Sequence, residues 1–338
     1  MGVTLNKLII NLGQIATNAR AAKAAAHASG YRFVAVLKAV HCHPKLIETL
    51  NAAGADSFAF SSIASVAASA SSDLPDRAKR LLLGPSAPAT AELAVTYFGT
   101  SIQSTLKSIE ELGRAAVAGS LSHGVYLAIR TEDDREGINP GDWETILSLA
   151  RTVVANGLKL EGLACNLGCT QLDPITATRV DQLLALRTKL AGELNQDIGL
   201  SLGGSFLLPD LQALGGDLSL RVGELLLSGT EPAGRSIETC ATGFRIEASI
   251  VEVSLGPSRV LVDVGSAVLE KGAYKICLPD AQTISMSGEF MVIAARFLNE
   301  PKVGDIISFE LGYNSLKKAL TFPFLDWQWI ETSLASPI

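Results

Sequence analysis

The stretch FVAVLKAVHCHP, residues 33–44, decides how the rest of the chain is read. Phe33, Val34, Ala35, Val36 and Leu37 form an unbroken apolar run, the pattern of a strand buried on both faces under covering helices. Lys38 follows at once, where strand should pass into loop. An ammonium beside such a strand is costly to bury unless it is paired or its pKa falls. The plain account is that Lys38 snorkels to solvent as the strand exits. The other account is a chemical use, and the flanking sequence bears on the choice.

Outward from this stretch, short apolar runs alternate with Ala- and Leu-rich segments of helical period. Strands are predicted near 33–37, 56–60, 80–84, 100–103, 124–129, 159–164, 198–202 and 218–222. Helical segments lie between them, such as HPKLIETLNAAG at 43–54 and TATRVDQLLALRTKLAGELN at 176–195. Eight strands alternating with helices predict an α/β fold, a closed (β/α)8 TIM barrel rather than an open sheet. The opening segment LIINLGQIATNARAAKAAAHASG adds a helix before the first barrel strand.

Beyond Thr230 the character changes. FRIEASIVEVSLGPSRVLVDVG, TISMSGEFMVIAAR and VGDIISFELGYNSL alternate apolar and polar residues between Gly and Pro punctuation. That pattern predicts a C-terminal, mostly antiparallel β domain. The division expected is a barrel over 1–235 and a β domain over 236–338, with the boundary in EPAGRSIETCATG at 231–243.

Composition narrows the classes. Of 338 residues, 48% are hydrophobic and 18% charged, enough to bury a large core. A net charge of -6 gives no reason to expect nucleic acid or an anionic membrane as partner. The five cysteines (Cys42, Cys165, Cys169, Cys240, Cys277) are an odd number without a paired framework, which favours a reducing compartment. No apolar run approaches the ~18 residues of a membrane span. The opening MGVTLNKLIINLGQ has no signal-peptide core before a small-residue cleavage site. A cytoplasmic protein acting on a small molecule is the expectation.

In a (β/α) barrel the chemistry sits at the carboxyl ends of the strands. Lys38 ends the first strand, Arg135 lies after the fifth in TEDDREGINP, and Asn166 and Cys169 follow the sixth in ACNLGCT. SLGGS (201–205) follows the seventh, Arg221 closes the eighth, and Ser228, Gly229 and Thr230 come soon after. The seventh and eighth loops are where barrels often hold phosphate on backbone N–H groups. Gly203, Gly204 and Ser205 offer little bulk, amides and a hydroxyl, although an ordinary turn with an N-cap uses the same residues. A strand-end lysine and a phosphate cradle on one rim point to a phosphate-bearing carbonyl cofactor held as a Schiff base, and pyridoxal 5'-phosphate fits.

Six segments carry a family resemblance: VLKAVHCHPKLIETLNAAGADSFAFSS, HGVYLAIRTEDDREGI, LEGLACNLGCTQLDPIT, LSLGGSFLLPDL, LSLRVGELLLSGT and VGDIISFELGYNSL. They occur in order along nearly the whole chain, and DREG and LRVGELLLSG are the most specific. The chain resembles the alanine racemase-type pyridoxal phosphate enzymes, in the amino-acid racemase branch typified by ornithine racemase. The resemblance implies a cofactor barrel, a β domain and a homodimer with active sites at the interface. It makes Lys38 the aldimine lysine and sets Arg221 against the pyridine nitrogen. Ser205, Gly229 and Thr230, with Gly204 beside them, fall on phosphate-loop positions, and Tyr313 matches a phosphate-contacting tyrosine. Arg135, Asn166 and Cys169 are the substrate-binding candidates.

The pattern departs from the family at the second proton carrier. Racemisation by two bases needs one carrier on each face of a planar intermediate, and Lys38 serves one. Alanine racemases place a tyrosine after a glycine in the second domain, where this chain has Ser266 after Gly265. Ornithine-type relatives carry an aspartate in that stretch and a Ser-Ser-Asp-His run further on. Here the positions read Val268 and Ser287-Gly288-Glu289-Phe290, and the family's Asp-Ser-Arg after the second strand reads Phe60-Ser61-Ser62. Glu289 and Ser266 are the leading candidates for the second carrier, with Cys169 and Tyr274 behind them. His41-Cys42-His43 lacks a second ligand cluster, so no metal is expected. The expectation is amino-acid racemisation or epimerisation. Decarboxylation, elimination or retro-aldol cleavage on the same cofactor, or cofactor binding without turnover, are the alternatives.

Overall fold

The computed structural model describes residues 6–40, 42–130, 136–167, 177–211, 217–253 and 258–331. The chain opens with β1 (Lys7–Asn11), followed by a helix over Leu12–Ala28. Eight parallel strands then close into a barrel. They are β2 (Tyr31–Val36), β3 (Ser57–Phe60), β4 (Arg80–Leu82), β5 (Thr100–Gln103), β6 (Gly124–Ile129), β7 (Lys159–Asn166), β8 (Gly199–Gly203) and β9 (Leu218–Val222). β9 pairs with β2 and completes the ring, with Val34 opposite Arg221. All eight coincide with strands expected from the apolar runs.

Helices over Pro44–Ala52, Ile63–Ala68, Ala91–Tyr97, Leu106–Gly119, Trp143–Ala155, Ala177–Leu194 and Glu224–Ser228 connect or follow the strands. Trp143–Ala155 shows why they form. Asp142 caps its first turn by accepting from the Thr145 N–H at 3.2 Å, and Ile146, Leu147, Leu149, Ala150 and Val153 make one buried stripe. Fully burying each large aliphatic residue of that stripe contributes about 1.5–3 kcal/mol. Inside the barrel Val34, Ala59, Leu81, Ile102, Tyr126, Ala128 and Ala164 pack together. At the amino end of β6, buried His123 joins a polar network through Ser101 Oγ at 2.8 Å and the Phe98 carbonyl at 3.1 Å.

The remaining strands are β10 (Phe244–Glu252), β11 (Arg259–Val262), β12 (Tyr274–Ile276), β13 (Gln282–Met286), β14 (Met291–Ala294), β15 (Ile306–Leu311) and β16 (Asp326–Ile330). They run in the order β12-β15-β10-β11-β14-β13, with β1 joining β10 to β16. Pairing is antiparallel except between β1 and β16. Alternation in β10 buries Phe244, Ile246, Ala248 and Ile250 and turns Arg245 and Glu247 outward.

The chain divides into two compact units, but not by the single cut expected at 235/236. One unit takes the chain up to Asn18, Leu226–Thr230 and everything from Glu238; the other takes Ala19–Leu225 and Glu231–Ile237. The opening segment is therefore not simply an addition to the barrel. β1 sits in the β sheet because its backbone pairs with β10, Ile9 lying opposite Arg245. Among the described residues no helix is long and apolar enough to cross a membrane.

Candidate active site

Lys38 stands in the turn that leaves β2. That turn buries Leu37, Ala39, Val40 and Cys42 and exposes Lys38. The Leu37 N–H donates to the Ala59 carbonyl at 2.9 Å, and the Val40 N–H to the Leu37 carbonyl at 3.3 Å. The backbone is thus anchored while the amine stays accessible. Lys38 has no hydrogen-bond or ion-pair partner among the described residues. That accessibility is what the snorkelling account expects. Cys42 holds a left-handed φ of 60° in the same turn, and burial pushes its thiol up to about 11. That thiol is a packing group, not a nucleophile.

Arg221 is the opposite case: only 6% exposed, inside the barrel wall. Its Nη1 donates to the Ser201 carbonyl at 2.8 Å and to Ser201 Oγ at 2.7 Å, and its Nη2 to the Cys165 carbonyl at 2.9 Å. The guanidinium reaches from β9 across β8 to β7. It can do so because Gly203, opposite Arg221 in the β8–β9 register, has no side chain. A Cβ there would lie 2.5 Å from Arg221 Nη2 and 2.8 Å from Asn166 Oδ1. Ser201 is a site residue that the sequence reading passed over within SLGGS, and Gly203, read there as part of a phosphate cradle, instead gives Arg221 room to cross β8. The signal was a glycine and a serine alternating with apolar residues in a barrel strand.

Gly204 and Ser205 follow β8 directly. The Gly204 N–H donates to the Arg221 carbonyl at 3.0 Å, so its contribution to an anion site is small bulk rather than the amide that the sequence reading offered. Ser205 is buried, and its Oγ accepts from the N–H groups of Gly223 at 3.3 Å and Leu225 at 3.2 Å. A hydroxyl that accepts two bonds still has an O–H to donate. Glu231 and Arg235 brace this region. Glu231, 1% exposed, accepts from the Ala233 and Arg235 N–H groups and from Arg235 Nε at 3.1 Å, and Arg235 Nη2 donates to the Phe206 carbonyl at 3.0 Å. The barrel unit thus gathers Lys38, Asn166, Gly204, Ser205 and Arg221 at the carboxyl ends of four consecutive strands, β7, β8, β9 and β2.

The family description "Alanine racemase, N-terminal domain" matches residues 10–230, more than half of the chain. The chain belongs to the alanine racemase family. Ornithine racemase of Acetoanaerobium sticklandii is 23% identical over 95% of this chain and 98% of that protein. Lysine racemase of Thermotoga maritima is 27% identical over 95% of this chain and 97% of that protein. Among solved structures, alanine racemase from Bartonella henselae with covalently bound pyridoxal phosphate superposes with a TM-score of 0.76 at 15% identity, covering 97% of this chain and all of that one. D-threo-3-hydroxyaspartate dehydratase from a Delftia species also gives 0.76 at 15% identity, covering 97% of this chain and 95% of that one. These structural likenesses establish the fold: a barrel with a β domain, as expected.

The other predicted residues of the family site fall in the β unit. Gly229 takes a φ of 77°, and a Cβ there would lie 2.2 Å from the Ala241 carbonyl carbon, so only glycine fits. Thr230 follows it, and its carbonyl accepts from Ser228 Oγ at 3.2 Å. Tyr313 opens the helix Tyr313–Thr321 and is half-buried, with Lys317 Nζ 5.2 Å from its ring centre. Ser266 and Glu289 are brought into one neighbourhood. The Ser266 N–H and Oγ both donate to the Ser287 carbonyl, at 2.7 and 3.0 Å, and the Ala267 N–H donates to Gly288 at 2.8 Å. Glu289 stands exposed in the next position of that β13–β14 turn. Gly265 permits the approach, since a Cβ there would lie 2.3 Å from the Ser287 carbonyl oxygen. The Tyr274 hydroxyl is engaged with Thr283 Oγ1 at 2.7 Å. Arg135, Cys169 and His41 lie outside the described residues.

Proposed function

We propose that this chain is a pyridoxal phosphate-dependent amino-acid racemase in which Lys38 and Glu289 exchange the Cα proton on opposite faces of the substrate. The observation that carries the reading is Arg221, fixed across Gly203 on the strand beside the one that ends in Lys38. Its guanidinium plane is held by Ser201 and Cys165, so a permanent positive charge stands at a set place in the barrel. Such a group fits the family's arginine, which would donate to the pyridine nitrogen. Gly204 and Ser205 of the barrel unit would serve the cofactor's phosphate, and Gly229, Thr230 and Tyr313 stand as phosphate-side residues on the family resemblance. When bound, the cofactor supplies the electron sink that makes the Cα proton removable.

The chain's own groups then set the outcome. Arg221 stays protonated and would discourage protonation of the ring nitrogen, which would keep the sink modest and favour return of the proton over loss of other groups. Lys38, on an anchored turn, is placed to carry one proton. Glu289 is proposed over Ser266 as the second carrier because a carboxylate exchanges protons near neutral pH. A serine hydroxyl does so only when activated, and that of Ser266 donates to the Ser287 carbonyl. Arg135, Asn166 and Cys169 stand as substrate-side residues on the family resemblance.

The active unit is proposed to be a homodimer. β13 ends its sheet, and four of its five residues are exposed. Ile284 and Phe290, 46% and 42% exposed, flank the Glu289 turn and offer apolar surface of the kind that contacts bury. Light scattering should give twice the chain mass, and a fully active monomer would remove this part.

Chiral chromatography after incubation in deuterium oxide tests the function, with ornithine and lysine first, then the common amino acids. Both enantiomers should appear, each carrying deuterium at Cα. Glu289→Gln should abolish interconversion while leaving cofactor binding intact. Release of carbon dioxide, ammonia or an aldehyde in place of the other enantiomer would overturn racemisation.

A further inference from the structure

Ser219 precedes Arg221 by two residues on β9, nearer the amino end of the strand. The β8–β9 register sets Ser201 opposite Ser219 and Gly203 opposite Arg221. Ala164 of β7 lies opposite Ser201, and Val34 of β2 lies opposite Arg221. Ala164 and Val34 belong to the cluster packed inside the barrel, so Ser201, Ser219 and Arg221 face the same interior. Both hydroxyls are deeply buried there, Ser201 at 0% and Ser219 at 4% exposure. The same interior holds Ala59, Leu81, Ile102 and Ala128, and a buried hydroxyl beside such residues is costly unless it is bonded. Alanine would fill either position without that demand.

Three acceptors that hold the Arg221 guanidinium are not alike. The carbonyls of Cys165 and Ser201 belong to the paired backbones of β7 and β8 and cannot turn away. Ser201 Oγ can, because χ1 of a serine has three staggered wells. Arg221 Nη1 donates to both the carbonyl and the Oγ of Ser201, so the tilt of the guanidinium depends on where that hydroxyl stands. Ser219 Oγ donates to Ser201 Oγ at 2.9 Å and holds it in the well that faces Arg221. A hydroxyl oxygen has two lone pairs, so Ser201 can accept from Arg221 and from Ser219 together.

We propose that Ser219 is a positioning residue for the cofactor's ring nitrogen. Acting through Ser201, it sets the direction in which Arg221 presents its N–H groups. This rests on the reading of Arg221 as the partner of that nitrogen. A hydroxyl pair that only satisfied itself in the core would support the barrel, but it would not distinguish a nitrogen from a carbon in the ring.

The test uses the full chain freed of cofactor. It is titrated calorimetrically with pyridoxal phosphate and with the 1-deaza analogue, in which a C–H replaces the ring nitrogen. The unmutated protein should bind pyridoxal phosphate about tenfold more tightly, the worth of one hydrogen bond to a charged group. Ser219→Ala should weaken pyridoxal phosphate about fivefold and leave the analogue unchanged. Ser201→Ala should cost at least as much, and Ser219→Ala added to it should cost nothing further, because the shared hydroxyl is already gone. Ser219→Thr keeps the hydroxyl and should restore the preference. Ser219→Cys, close in size but a weak donor, serves if the alanine variant does not fold. Equal affinity of the unmutated protein for the two compounds would overturn the reading of Arg221, and the role of Ser219 with it. A preference that survives both Ser219→Ala and Ser219→Cys would overturn the role of Ser219 alone. Parallel losses for both compounds would make Ser219 a packing residue and overturn it as well.

Discussion

Gly203→Ala probes the arrangement on which the site depends. The added methyl would sit 2.5 Å from Arg221 Nη2 and 2.8 Å from Asn166 Oδ1. Ordinary carbon contacts lie at about 3.5–4.0 Å, so the guanidinium or the strand must shift. Overpacking of this kind costs about 1–3 kcal/mol. Gly203 is not among the residues with positive φ, so alanine brings no backbone strain and gains about 0.4–1 kcal/mol from a less flexible unfolded chain. The net expectation is a loss of about 1–2 kcal/mol, read by urea denaturation of the protein without cofactor. Displacing Arg221 should also weaken pyridoxal phosphate binding about tenfold, equivalent to ~1.4 kcal/mol. The double variant with Arg221→Ala decides the cause. With the guanidinium gone, Gly203→Ala should cost almost nothing or stabilise slightly, giving a coupling of about 1–2 kcal/mol. An equal penalty in both backgrounds would refute the claim that Gly203 exists to let Arg221 cross β8.

Lys38→Ala should fold with an unchanged thermal midpoint, because its side chain is exposed and has no partner among the described residues, yet lose both the visible cofactor band and racemisation; borohydride reduction of the unmutated protein should place the cofactor on Lys38 alone. Burial lowers the His123 pKa from 6.5 to about 4, so the unfolded chain binds more protons between those values. Stability should be fully present above pH 6.5 and fall by about 3 kcal/mol as pH drops to 4, and His123→Gln should flatten that slope in denaturant titrations from pH 4 to 8. Arg235→Leu leaves buried Glu231 without its side-chain partner and removes the donor that Arg235 gives to the Phe206 carbonyl. It should cost about 1–3 kcal/mol and weaken cofactor affinity, whereas Arg235→Lys should recover part of both.

By itself the sequence determined the barrel strands and their order, because a buried parallel strand is written locally as an apolar run and a helix as a period. It also singled out Lys38 and Arg221, since a cation ending an apolar strand breaks a local pattern. The alternating stretches after Thr230 marked the antiparallel sheet in the same way. What it could not express was partnership across distance. β1 is a plain apolar run, and its place beside β10 depends on residues more than two hundred positions away. Arg221 was visible, but its hold on Ser201 and Cys165, and the need for Gly203 between them, arise only when β7, β8 and β9 lie side by side. The tie from Arg235 to the Phe206 carbonyl and the gathering of Ser266 with the Glu289 turn have the same origin. A side chain's propensity acts on its own backbone, whereas a buried charge or an absent methyl takes its meaning from whatever the closed fold brings against it.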